Sequence, residues 1–176
     1  MKIFIDTNVF YNDWFMRNAN FKYLFHYISN DGHSLIISKL VIQEAENIRQ
    51  RELSEALHDI KCSINKMQKL NANILSYDAE GLGVNDYDLT LLIQSRADNL
   101  EIIGYDDIPH SEVVIRALNN KKPFMEGEKG YRDTLIWLSL IDYIVKNNES
   151  EDVIFITQNK SDFFKPRLSI SPIGVA

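Results

Sequence analysis

Four carboxylates hold positions from which an acid can do more than face water. Asp6 closes the apolar run KIFID, and Glu44 ends the segment SKLVIQE. Asp133 lies in the segment YRDTLIW, and Asp162 follows VIFITQNK. Taken singly, each has an ordinary use. Asp6 and Asp162 suit turns and caps, Glu44 is a good helix former, and Asp133 in a first helical turn complements the helix dipole. Drawn to one place, four carboxylates repel and favour protonation unless a divalent cation offsets them. An all-oxygen donor set suits Mg²⁺ or Mn²⁺ rather than Zn²⁺. The four histidines, His26, His33, His58 and His110, show no ligand spacing, and no HExxH occurs.

The elements that must position these acids follow from hydropathy patterning. Residues 2–6 read as a buried strand, Leu35 to Ile37 as a second, Asn73 to Tyr77 as a third and Val153 to Thr157 as the clearest, with a last short one over Ser169 to Ser171. Phe21, Leu24, Phe25 and Ile28 keep helical spacing. Ser38 is a helix N-cap, followed by about 30 residues in one helix or two. Asp86 is the expected cap of a helix carrying Leu89, Ile93, Ala97 and Leu100, and Ser111 of one carrying Val114, Ile115 and Leu118. Asn119 to Gly130 reads as a loop and Tyr131 to Asn147 as an amphipathic helix. Strands alternating with helices imply a parallel α/β sheet with ligands beyond its carboxyl ends. Asp6, Thr7, Asn8, Thr157 and Asn159 fall there.

Composition narrows the partners. The 176 residues fit one domain, 1–176, with a helical elaboration over 45–125. The net charge of −6 excludes a broadly basic nucleic-acid coat and a polybasic membrane anchor. Nine acids and one base, Arg96, give residues 77–112 a local charge of −8, so the remainder is positive. That acidic segment is the expected docking face for a basic protein partner. One cysteine, Cys62, allows no disulfide within the chain, and the longest apolar stretch, Thr134 to Val145, is too short for a bilayer. The start MKIFID meets Asp6 before any signal-like run, so a cytoplasmic location is the expectation.

The segments IFIDTNVF, SKLVIQE, YRDTLIW and VIFITQNKSDF occur in an order that resembles the PIN-domain nucleases (FEN-like). The resemblance implies a three-layer α/β/α fold with a parallel sheet of about five strands. It implies a metal-dependent endoribonuclease using one or two Mg²⁺ or Mn²⁺ ions. By position, Asp6, Glu44 and Asp133 match the three best-defined family acids. Thr157 matches a threonine after the last motif strand, and Asn8 an asparagine supporting the first acid. A fourth family acid often lies two residues after that threonine, where this chain has Asn159. Asp162, three further on, also fits a family acid position. In this reading Asp6 and Asp133 are the main ligands, and Glu44 and Asp162 hold a second ion or waters. Lys129, Arg132 and Lys160 meet substrate phosphates by proximity.

Two roles fit such an enzyme, a toxin of a toxin–antitoxin or defence system and an RNA-processing nuclease. The corresponding partners are RNA, an antitoxin or other basic protein, and a second copy of the chain in a homodimer. The different-class reading is a catalytically weak or inactive PIN-like RNA- or protein-binding module, supported by Asn159. An Asp6 phosphatase is disfavoured, because Asn8 stands where haloacid-dehalogenase enzymes carry a second Asp.

Overall fold

The computed structural model describes residues 1–71, 86–124, 130–147 and 150–163, with only the backbone of Lys160. Four strands, β1 (Lys2–Ile5), β2 (Ser34–Ser38), β3 (Leu100–Ile103) and β4 (Val153–Ile156), form one parallel sheet in the order β3-β2-β1-β4. Phe4 stands opposite Ile36 on one side and Phe155 on the other. The central strands are continuous apolar runs because both faces are covered. Ile3, Phe4, Ile5, Leu35, Ile36 and Ile37 are all buried. On the edges, Ile102 and Ile154 are more than two-fifths exposed.

The connecting helices are α1 (Ala19–Asn30), α2 (Lys39–Leu70), α3 (Leu89–Gln94), α4 (His110–Leu118), α5 (Tyr131–Lys146) and the short α6 (Lys160–Phe163). A 3-10 turn, Thr7–Phe10, follows β1. α1 buries Phe21, Phe25 and Ile28, one stripe at helical spacing. α2 is a single helix of 32 residues, capped by the Ser38 hydroxyl on the Leu40 N–H. Its buried residues, Val41, Ile42, Glu44 and Ala45, all lie in the first two turns. The rest runs over the surface for roughly 35–40 Å at ~1.5 Å per residue. Val113, Phe124 and Leu138 make a smaller core where α4 meets α5. None of the described helices is long and apolar enough to cross a membrane.

Several expectations are corrected. Leu100 belongs to a strand and not to the helix before it, which ends at Gln94. Thus 100–103 adds a strand within the stretch read as helical. The cap of α3 is Asp88, whose side chain accepts from the Leu91 N–H at 2.8 Å, rather than Asp86. α4 starts at His110 after Pro109, so Ser111 is inside it and caps nothing. The sheet has four strands among the described residues. The strands expected at 73–77 and 169–171, and part of the acidic segment, lie outside them.

β1 sits where connections diverge, with β2 and β3 on one side and β4 on the other. This is the topological switch point of a doubly wound sheet, and its carboxyl end opens a crevice. α5 reaches that crevice through Gly130, whose φ of +106° places it in the left-handed region. A Cβ there would lie 2.5 Å from the Pro123 carbonyl oxygen. Gly32 also has a positive φ, +64°, but faces open space. Gly130→Ala is therefore expected to lower Tm by roughly 4–8 °C, the effect of about 2 kcal/mol in a chain this size. Gly32→Ala is expected to lower it by less than half as much. Thermal unfolding of the two variants checks the ranking.

Candidate active site at the carboxyl end of the sheet

The first acid is built into the junction of β1 and β4. The Asp6 N–H donates to the Ile156 carbonyl at 3.0 Å, continuing the ladder one residue past the strands. Its side chain then caps the 3-10 turn, with Oδ1 accepting from the Thr7 N–H at 2.8 Å. Oδ2 accepts from the Asn8 amide and from the Thr157 hydroxyl, both at 2.7 Å. Asn8 also donates to Thr157 at 3.1 Å and accepts from the Gln158 N–H at 2.9 Å. These bonds cross from the end of one strand to the end of its neighbour. Asp6 is 2% exposed. Burial pushes its pKa up, the Thr157, Thr7 and Asn8 hydrogen bonds pull it down, and the charge of Glu44 pushes it up again.

Glu44 lies in the second turn of α2 and is 9% exposed. The buried stripe of Val41, Ile42 and Ala45 turns this face of the helix to the sheet, which carries the carboxylate inward. Its Oε2 accepts from the Thr7 hydroxyl at 2.8 Å, and its Oε1 pairs with Arg132 Nη1 at 2.6 Å. Arg132 is the residue before Asp133 in the first turn of α5. Asp133 is half-buried, and its carboxyl is pushed up to about 6. Burial is the largest cause, followed by the charges of Asp6, Glu44 and Asp162, while Arg132 opposes them. Asp162 is half-buried in α6, where its N–H donates to the Asn159 carbonyl at 3.1 Å.

The structure thus brings all four sequence-derived acids into one electrostatic neighbourhood. Asn8 and Thr157 hold Asp6, as a supporting pair does. Asn159 is exposed and engages through its backbone, its N–H donating to the Thr157 hydroxyl at 3.0 Å. Arg132 stands on Glu44 rather than alone in solvent. Lys129 and the Lys160 side chain lie outside the described residues. Two further residues join the site, the already expected Thr7 and, without a sequence expectation, Tyr11. Thr7 ties β1 to α2 through Glu44. Tyr11 has its phenol pushed up by burial and then by the charges of Glu44 and Asp6. The place of Tyr11 at the end of the 3-10 turn that follows Asp6 is its available signal, because the chain leaving a switch-point strand lines the crevice.

The donor set suits a hard divalent cation in chemistry and in sign of charge, since burial and the neighbouring charges of Asp6, Glu44 and Asp162 all disfavour an ionised Asp133 and such an ion offsets them. In the arrangement observed, no three acid, histidine or cysteine side chains among the described residues already stand at chelating distance. Glu44 is committed to Arg132 and Thr7, and Asp6 to its three donors. A family model described as PIN domain matches residues 3–163, which takes in all four motif segments. No curated protein and no solved structure matches the chain.

The shift at Asp133 fixes the sign of a pH effect. Unfolded, this carboxyl titrates near ~3.9; folded, it does so at about 6. Between those values the folded protein binds the extra proton, so stability falls as pH rises toward 6, and above it the ionised group opposes folding in full. Asp133→Asn is expected to raise Tm in the presence of a chelator at pH 7.5, with the gain shrinking to zero by about pH 4. Melting curves across that range check it. A variant no more stable than the parent at pH 7.5 contradicts the repulsion.

Proposed function

The chain belongs to the PIN-domain family, whose members are generally nucleases, and we propose that it is a metal-dependent endoribonuclease that hydrolyses RNA phosphodiester bonds. The observation that carries this reading is the gathering of Asp6, Glu44, Asp133 and Asp162 in one field at the switch point of the sheet. Asp6 and Asp133 are the residues to hold Mg²⁺ or Mn²⁺, with Glu44 and Asp162 for a second ion or for waters. Bound there, such an ion lowers the pKa of a water and offsets charge on the phosphoryl oxygens.

The remaining work falls to the chain itself. Thr7, Asn8 and Thr157 fix the Asp6 carboxylate, so that no reorganisation is needed when charge develops beside it. Arg132, with its side chain 65% exposed, keeps donors free beyond its contact with Glu44 and turns them toward an arriving phosphate. Lys129 and Lys160 are neighbours in sequence of Arg132 and Asp162 and add positive charge for the same polyanion. Sheet, acids and Arg132 together form a hydrolytic centre for a phosphodiester.

A second reading, a PIN-like RNA- or protein-binding module with weak or no catalysis, is favoured by Asn159 and by the absence of a preformed chelating set among the described residues. One experiment separates the two. The protein is incubated with a mixed RNA pool and Mg²⁺ or Mn²⁺, beside Asp6→Asn and Asp133→Asn. The nuclease reading expects cleavage by the parent and a loss of at least ~100-fold in each variant. RNA retained without cleavage supports the module. Cleavage that survives both substitutions rules out the assignment of these acids.

A further inference from the structure

The segment that leaves the candidate active site carries rings and cations in an order that the catalytic reading does not use. Residues 11–18 join the 3-10 turn to α1. Asp13 accepts from the Arg17 and Asn18 N–H groups at 2.9 and 2.8 Å, and Tyr87 donates its hydroxyl to the Trp14 carbonyl at 2.7 Å. Arg96 donates to the Met16 carbonyl, and the Met16 side chain is fully buried. So fixed, the segment turns Tyr11 and Phe15 outward, at 38% and 37% exposure. Tyr11 feels the charges of Glu44 and Asp6, and its ring packs on Trp14 at 5.8 Å. Phe15 meets Tyr87 edge-on at 5.5 Å, and the guanidiniums of Arg17 and Arg49 lie over it at 5.0 and 5.5 Å.

This path ends in a cleft of about 620 Å³ between α1 and the turn after α3. Arg17, Lys22 and Arg96 line it, with His26, Phe25 and Met16. Three cations meet there, Arg17 and Lys22 from around the start of α1 and Arg96 from the turn after α3, and no acid is among the lining residues. None of the three forms an ion pair among the described residues. Asp13, the acid nearest Arg17 in sequence, has its carboxylate engaged by two backbone N–H groups. In a chain of net charge −6, unpaired cations gathered on one concave surface call for an anionic ligand. A line of exposed rings leading to a cluster of cations matches a strand whose bases pack on the rings while its phosphates are held electrostatically.

We infer that Tyr11, Phe15 and the Arg17–Lys22–Arg96 cleft form a track for single-stranded RNA, holding its backbone several nucleotides from the acids. The inference rests on the endoribonuclease reading and adds to it a place where substrate binds away from the reacting phosphate. It also shifts the main phosphate contacts from the α5 side of the site to the α1 side.

The test measures binding apart from cleavage. Fluorescein-labelled RNAs of 3 and 20 nucleotides are titrated by anisotropy against full-length Asp6→Asn, with and without Arg17→Gln and Lys22→Gln, two exposed side chains whose loss leaves the core intact. The track predicts about tenfold weaker binding of the 20-mer to the charge-deleted protein. It predicts a salt slope shallower by about 1.4, near ~0.7 for each of two lost phosphate contacts. Affinity for the trinucleotide is expected to stay within twofold. Lys22→Glu alone is expected to weaken the 20-mer further than Lys22→Gln. If the charge-deleted protein binds the 20-mer as before, the track is wrong, while Asp6-dependent cleavage keeps the nuclease reading alive. Micromolar competition by adenosine monophosphate overturns it in favour of a nucleotide pocket. Equal affinity for a 20-base-pair duplex overturns the stacking role of the rings. If the parent neither binds nor cleaves RNA, the nuclease reading falls and takes the track with it.

Discussion

Asp6 is 2% exposed, and an acid so far from water stays in place only because three donors converge on it. They come from the next two residues and from Thr157, 151 positions along the chain. Burial alone favours a neutral carboxyl, and the donors favour the anion. Because one of them is a β4 residue, the ionisation of Asp6 and the docking of β4 on β1 depend on each other. The parallel register that sets Phe155 against Phe4 also sets Thr157 against Asp6. Core packing and site geometry are therefore fixed by the same alignment of two strands.

Arg132 and Glu44 show how the neighbouring acids are kept tolerable. A buried carboxylate beside Asp6 calls for a counter-charge, and α5 supplies one from the residue before Asp133. The guanidinium remains largely in water while its end reaches the acid, which limits its own desolvation. Gly130 permits this entry, since its left-handed backbone lets α5 start against Pro123.

The central strands were readable because Ile3–Ile5 and Leu35–Ile37 are apolar on both faces, and α5 because its apolar stripe is regular. β3 was not readable. Leu89, Ile93, Ala97 and Leu100 keep a helical interval that runs into it, and on this sheet edge the acid Glu101 interrupts the apolar run and Ile102 is exposed. Asp88 and Pro109 stand in place of the expected caps because each helix begins two residues away from where spacing alone placed it. The four acids were legible because sheet topology sends strand ends and the following helix starts to one edge. The contact of Arg132 with Glu44 was not, since it joins residues 88 apart with no periodic signature. The basic cleft has no sequence signature for the same reason. Arg96 stood out in the sequence only as the single base in an acidic stretch, and its position beside Arg17 exists only in three dimensions.

In binding terms, Arg132 is a tethered competitor at Glu44. Any cation approaching that carboxylate meets one already attached to the same molecule, at the millimolar effective concentrations of short tethers. Its apparent affinity falls by the fraction of time the guanidinium is in place. In the proposed nuclease, a phosphate that took the guanidinium away would lift that penalty, and by reciprocity a cation at Glu44 would free the guanidinium for phosphate. On the function proposed above, the pairing of one arginine with one glutamate would make cation and polyanion mutual activators, each bound more tightly once the other has arrived.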